Sequence, residues 1–160
     1  MKIFLDTEFY EDGRTIELIS IGLVNEDGEQ YYAETPKARR LAHASEWLEA
    51  NVLPGLNGGD AVKGRYQIAN EIVEFVGDNP EFWAWYGSYD WVALCQLYGA
   101  MIDLPKTWPM FIRDFKQVCT FANWTPEPIS MLLEHNALED ANWVRREFLA
   151  FEQAGLRFRG

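Results

Sequence analysis

Short, largely apolar segments bounded by polar and turn residues open the chain and read as strands. Lys2 to Asp6, Glu17 to Val24 and Glu29 to Ala33 carry that pattern, and Asn25-Glu26-Asp27-Gly28 between the last two has the composition of a tight hairpin turn. An antiparallel opening unit is therefore expected. Helical periodicity follows. Ala44, Trp47 and Leu48 form a short helical stripe, and Ala69, Ile72, Val73 and Val76 fall at i, i+3, i+4 and i+7, with Pro54-Gly55 and Gly58-Gly59 breaking the chain between them. Phe82-Trp83-Ala84-Trp85-Tyr86 is an unbroken apolar run that predicts a buried strand. Gly87-Ser88 follows as a turn, with Ser88 the expected N-cap of a helix reaching about Tyr98. Beyond the Pro-containing loop from Asp103 to Pro109, the segment Phe111 to Phe121 fits a strand or a helix. In the last helix Ala137, Ala141, Val144, Phe148 and Phe151 share one face.

This order of elements predicts an α/β fold, and composition sets its scale. With 160 residues, 48% of them hydrophobic, the chain can build one core and is too short for two comfortable ones, so residues 1–160 are expected to form one domain. No internal repeat, low-complexity tract or long linker divides it. Cys95 and Cys119 are too few for a disulfide framework and lack the neighbouring ligands of a zinc site; Cys95, in helical register with Val92 and Gly99, reads as a buried thiol. The N-terminus acquires an acid at its sixth residue and shows no apolar h-region, and no apolar run approaches a membrane span. A soluble, reducing, cytoplasmic setting is the expectation.

The candidate chemistry lies in the acids. Asp6 and Glu8 stand two apart at the end of the apolar run that opens the chain. In a strand, residues i and i+2 point to the same face, so both carboxylates leave the sheet side by side. Like charges at one spot repel unless a hard cation with oxygen ligands, or a retained proton, compensates them. A strand that merely ends in exposed acids is the plain alternative. Asp90 follows the aromatic run and falls in the first turn of the predicted helix, where a negative side chain is favoured by the helix dipole; simple capping is its alternative role. In His135-Asn136-Ala137-Leu138-Glu139-Asp140, Asn136 with Glu139 three residues on has the form of a capping box. His135 is then the residue before the N-cap and Asp140 the fourth helical residue. These positions meet across a helix start, so an imidazole and a carboxylate are expected to meet there. Imidazoles ordinarily titrate near pH 6.5, which makes His135 a candidate to take a proton from water. His43 lacks such a neighbour and reads as a surface or structural residue.

Taken in order, Asp6-x-Glu8, Tyr89-Asp90 and His135 with Asp140 five positions later resemble the three motifs of the DEDDh 3′-5′ exonucleases, the DnaQ-like enzymes. The segments Asp6-Thr7-Glu8-Phe9, Glu17-Leu18-Ile19-Ser20-Ile21-Gly22, Trp83 to Asp90 and Val92 to Leu97 resemble the adenylate-specific exoribonuclease (RNase AS) group within them. The resemblance runs from the first strand to the last helix. It implies an RNase H-like fold, with a mixed five-stranded sheet whose antiparallel opening strands are flanked by helices. Asp6 and Glu8 would lie on the central strand, and Asp90 and Asp140 would come from helices nearby.

The resemblance also implies the chemistry. Asp6, Glu8, Asp90 and Asp140 would hold two divalent cations, Mg²⁺ or Mn²⁺, with Asp6 shared between them and His135 as the general base. The substrate would be the 3′ end of single-stranded RNA, by preference an adenylate tail, shortened to nucleoside 5′-monophosphates. A homodimer is also implied. Thr7, Phe9 and Tyr86 are expected at the terminal nucleotide, where base stacking is worth about 1–3 kcal/mol. Arg113, Lys116, Arg145 and Arg146 fit upstream phosphates or solvated helix faces. Many family members carry a His-Asn pair where this chain has Trp85 and Tyr86, a departure that bears on substrate preference.

A net charge of −11 speaks against a long phosphate backbone as partner, but two divalent ions would supply positive charge where one scissile phosphate must bind. A DNA proofreading or repair exonuclease would use the same residues. A non-catalytic acidic nucleic-acid mimic would need arrays of exposed acids, whereas these acids are embedded among apolar strands.

Overall fold

Asn25 closes the second hairpin with its own side chain, whose Oδ1 accepts from the N–H groups of Asp27 at 3.1 Å and Glu29 at 2.9 Å. Gly28 takes the positive φ of 94° that the turn requires. The first two strands are longer than the sequence pattern alone predicts. In the computed structural model, which describes residues 1–130 and 135–156, β1 spans Lys2–Glu11, β2 Ile16–Asn25 and β3 Gln30–Glu34. All three pair antiparallel. Asp6 and Glu8 therefore stand in the middle of β1 and not at its end, because β2 continues to pair with it as far as Glu11.

On the other side of β1, β4 (Glu81–Ala84) and the two-residue β5 (Arg113–Asp114) extend the sheet in parallel. The five strands run in the order β3-β2-β1-β4-β5, which makes β1 central, as the resemblance implied. β4 pairs with β1 only from Lys2 to Phe4. Past Phe4 that edge of β1 has no strand beside it among the described residues, and a notch opens at the C-terminal end of β4. The aromatic run is accordingly a shorter strand than predicted. Tyr86 leaves it with φ at 58° and is 64% exposed.

The helices are α1 (Ala38–Ala42), α2 (Glu46–Asn51), α3 (Arg65–Val76), α4 (Ser88–Tyr98), α5 (Phe115–Ala122) and α6 (Ala137–Gln153). Gly87, not Ser88, is the N-cap of α4; Ser88 is already its first helical residue. Ala44 lies between α1 and α2. The ambiguous segment from Phe111 resolves into both alternatives, β5 followed at once by α5, with Asp114 capping the helix through its carboxylate.

Alternation along β1 distributes the core. Ile3 and Leu5 face α3 and α4, packing with Ile21, Leu23, Ile68, Ile72 and Leu94. Phe4 faces α5 and α6, packing with Trp83, Phe115, Val144 and Phe148. Phe148 sits 5.4 Å from Phe4, 4.7 Å from Trp83 and 5.4 Å from Phe115 between ring centroids, and this fixes α6 against the sheet. The two cysteines are buried free thiols, Cys95 on the α4 side and Cys119 on the α5 side. No helix among the described residues is long and apolar enough to cross a membrane.

Candidate active site

The acids meet at the notch beside β1. Asp6 and Glu8 share a face of the strand, opposite Gly22 and Ser20 of β2. Gly22 decides what can lie over that face. A Cβ built on it would stand 2.3 Å from the carbonyl oxygen of Ala137 and 2.5 Å from Cα of Leu138. The start of α6 rests directly on β2 because that position carries no side chain. Asp140, in the first turn of α6, is thereby delivered to the strand acids. Carboxylate oxygens of Asp6, Glu8 and Asp140 lie within 4.8 Å of one another.

Asp90 arrives from the opposite side of β1. Thr7, between the two acids, points the other way by strand alternation. Its N–H and hydroxyl donate to Asp90 Oδ1 at 2.9 and 2.6 Å. Thr7, expected at the terminal nucleotide, lines one cavity of the site with Phe9 and Tyr86, yet it is only 4% exposed and its hydroxyl is given to Asp90. That bond holds the Asp90 carboxylate in place. Replacing Thr7 with valine keeps the volume but removes the hydroxyl bond, and should lower turnover about 10–100-fold, as loss of a supporting hydrogen bond does at comparable sites. Kinetics on an RNA oligomer check this; wild-type turnover in Thr7→Val would show that Asp90 needs no such restraint.

His135 enters with φ at 67°, and its backbone N–H donates to Asp140 Oδ2 at 2.9 Å. The meeting of these two residues across the helix start was expected through the ring; the main chain supplies this bond. The imidazole packs edge-on against Trp47, centroids 4.7 Å apart. Asn136 is the predicted N-cap, accepting from Leu138 and Glu139 N–H groups, and it also ties the helix start to Gly55 through a 3.0 Å bond to the carbonyl. His135, Asp140, Asp6, Trp85 and Trp143 border a cavity of about 150 Å³. A neighbouring cavity of about 410 Å³ is lined by Asp6, Thr7, Asp90, Phe9, Trp85, Tyr86, Tyr89 and Ser88. Phe9 and Tyr86 border this cavity beside the acids, and Phe9 meets Tyr89 edge-on at 5.5 Å. His43, by contrast, sits on the surface beside Glu49 at 3.3 Å.

The electrostatics follow from crowding. Burial, then the charges of Asp90, Glu8 and Asp140, hold the Asp6 carboxyl well above the usual range. Burial, followed by Asp140 and Asp90, pushes Glu8 up to about 8. Burial raises Asp90 to about 6 against the opposing pull of its bonds from Thr7. A cluster of this kind must keep protons or take a cation, and an all-carboxylate oxygen set suits a hard divalent ion.

The cations considered for upstream phosphates also have partners within the fold. The Arg145 guanidinium donates to the Glu26 carbonyl at 2.9 and 3.3 Å, Arg146 Nε to Glu147 at 3.0 Å, and Arg113 lies 3.6 Å from Glu81. Lys116 Nζ stands over the ring of Trp85 at 5.3 Å.

Residues 1–150 match the model of the 3′-5′ exoribonuclease Rv2179c-like domain. The chain belongs to that family. Within it, this Rv2179c-like chain is 43% identical over 154 residues to 3′-5′ exoribonuclease Rv2179c of Mycobacterium tuberculosis (strain ATCC 25618 / H37Rv), a match covering 92% of this chain and 91% of the relative. Two solved structures share the fold at low identity. A full-length 3′-exonuclease aligns with a TM-score of 0.53 at 13% identity, covering 99% of this chain and 84% of its own. Exonuclease I in its apo form aligns with a TM-score of 0.60 at 12% identity, covering 95% of this chain and 42% of its own. The mixed sheet with flanking helices in this Rv2179c-like chain is thus an RNase H-like fold shared with exonucleases.

Proposed function

We propose that this protein is a divalent-metal-dependent 3′-5′ exoribonuclease of the DEDDh, RNase AS type, which shortens single-stranded RNA from its 3′ end, prefers adenylate tails and releases nucleoside 5′-monophosphates. The observation that carries the proposal is the convergence of Asp6, Glu8, Asp90 and Asp140, from three separate elements, at one notch bordered by His135. The name of the 43%-identical relative supports the RNA substrate and the direction of attack.

Asp6, Glu8 and Asp140 would hold one cation, and Asp90, on the other side of β1, would help to hold a second. When bound, Mg²⁺ or Mn²⁺ supplies Lewis acidity at the attacking water and at the leaving 3′-oxygen. The protein's own residues do the rest. Thr7 orients Asp90, the N–H of His135 orients Asp140, and Trp47 packs against the ring of His135, which takes the proton of the attacking water. Phe9, Tyr86 and Tyr89 offer aromatic surface to the terminal nucleotide.

The test follows 5′-labelled A-tailed and U-tailed RNA and a matched DNA strand, with Mg²⁺ or with EDTA. A metal-dependent ladder shortening from the 3′ end, fastest on the A-tail, is expected. His135→Ala should lower that rate by about 100-fold while leaving metal binding, read by calorimetry, intact. Equal rates on A and U tails would remove the adenylate preference, faster cutting of DNA would reassign the substrate, and no cleavage of any strand would remove the activity.

A further inference from the structure

β3 ends on a carboxylate that the fold buries completely. Glu34 is 0% exposed, and the reaction above gives it no part. Pairing of Glu8 with Ser20, and of Ser20 with Glu34, puts it on the sheet face of the strand acids, two strands away from Glu8. Its oxygens are nevertheless already bonded. Oε1 accepts from the Asn57 N–H at 2.5 Å, the Gly58 N–H at 3.1 Å and the Tyr32 hydroxyl at 3.0 Å, and the Gly58 N–H also reaches Oε2 at 3.2 Å. A buried charge is tolerated where donors surround it in this way. The main chain of Glu34 grips the same loop further on, its carbonyl accepting from the Lys63 N–H at 2.9 Å. One residue of the sheet thus holds residues 57–63 at both ends.

The segment just before this clasp touches His135 twice. Trp47, in α2, packs on its ring at 4.7 Å. Gly55, in the turn Leu53–Gly55, accepts from Asn136 Nδ2 through its carbonyl at 3.0 Å, and a Cβ added to it would stand 3.6 Å from the carbonyl oxygen of His135. A helix of six residues such as α2 does not hold its place by itself. Leu48, Val52 and Leu56 anchor the segment on its apolar side, where they pack with Ile19, and Glu34 anchors its polar end. His135 has a φ of 67°, a conformation that a residue with a side chain keeps when its surroundings impose it.

We propose that Glu34 is a positioning residue for the general base. By clasping Asn57 and Gly58 it fixes the segment from Trp47 to Gly55 against His135, and so sets the place of the imidazole beside Asp6 and Asp140. The catalytic half of this reading rests on the role of His135 proposed above.

The experiment breaks the clasp from either side. Glu34→Gln keeps the shape but turns an amide N–H₂ toward main-chain N–H groups. Asn57→Pro removes the shortest of the bonds, and Leu56, at φ −79° and ψ 125°, already has the backbone that a following proline requires. The chain has two histidines, so in a His43→Gln background the proton spectrum reports the imidazole of His135 by itself, and Trp47→Leu measures how far the indole displaces that signal. Both clasp variants should keep the far-ultraviolet circular dichroism of the wild type, lose about 10–100-fold in kcat with KM for RNA unchanged, and move the His135 signal toward its position in Trp47→Leu. Metal affinity should hold, because Gly22 seats α6 independently of the clasp. Wild-type kcat with an unmoved signal in both variants would overturn the proposal, as would a loss of turnover that leaves the signal in place, a loss carried by KM, or unfolding of both variants, which would make Glu34 a residue of the fold at large. If the wild type cleaves no RNA, the activity proposed above fails, and the imidazole signal alone still decides whether Glu34 positions His135.

Discussion

Asp6→Asn is expected to cost at least about 1,000-fold in turnover while making the metal-free protein more heat-stable at pH 8. Both effects have one cause. Asp6 is the acid that every other carboxylate of the site pushes on, and its own burial adds to the penalty on its charged form. A carboxyl whose pKa is higher folded than unfolded binds more protons in the folded state between those two values, so stability falls as pH rises across that window. The window opens near the ordinary carboxylate value of about 4 and, for the neighbouring Glu8, closes at about 8. In EDTA the stability gain of Asp6→Asn should therefore be negligible near pH 4 and widest at pH 8, at about 2–4 °C per kcal/mol relieved for a chain of this size. Adding the metal should reverse the order, because a divalent ion removes the repulsion only where its ligands are intact. Scanning calorimetry at pH 4, 6 and 8, with and without Mg²⁺, reads all of this. A variant less stable than the wild type at pH 8 in EDTA would show that the acids are not a strained cluster, and retained turnover would remove Asp6 from the reaction.

That trade of stability for chemistry explains why so much of the site was legible in the sequence. Carboxylates two apart in a strand must share a face, and an Asn three residues before a Glu starts a helix; both statements are local, and both hold. Asp90 was placed in a first helical turn by the same local reasoning. What the sequence left hidden depends on contacts made across the fold. The length of β1 past Glu8 is set by β2, and the brevity of β4 by where pairing with β1 stops. Thr7, expected at the terminal nucleotide, does line the cavity, but alternation turns its hydroxyl to the face where it meets Asp90, a contact that spacing does not show. Spacing leaves Arg113, Arg145 and Arg146 open between upstream phosphates and solvated faces, because neither Glu81, the Glu26 carbonyl nor the orientation of Glu147 is readable from it. Gly22 did carry a signal. A glycine inside an otherwise β-branched and aliphatic strand marks a bulge or a close approach, though not by what.

Gly22→Val should accordingly disable the site from outside it. The valine Cβ would fall 2.3 Å from a main-chain oxygen of α6, and the obstruction is backbone, which no rotamer change can clear. Either α6 lifts from the sheet or β2 bends away. Lifting α6 withdraws Asp140 and His135 from Asp6 and Glu8 together, and a shift of about 1 Å in a catalytic group can by itself cost about 100-fold. Losing Asp140 and the proposed base His135 in one movement should take turnover below detection. The same movement opens the contact between Phe148 and Phe4, so overpacking adds a stability loss of about 1–3 kcal/mol or more. Gly64→Ala is the control: its added Cβ meets nothing within 4 Å, and as a helix N-cap it should cost under about 1 kcal/mol with full activity. Gly22→Ala grades the effect, since it carries the clashing Cβ without the valine methyls. Its spectra should remain those of a folded α/β protein while metal affinity falls. If Gly22→Ala binds metal and cleaves RNA like the wild type, the seating of α6 on β2 is not what brings Asp140 to the strand acids.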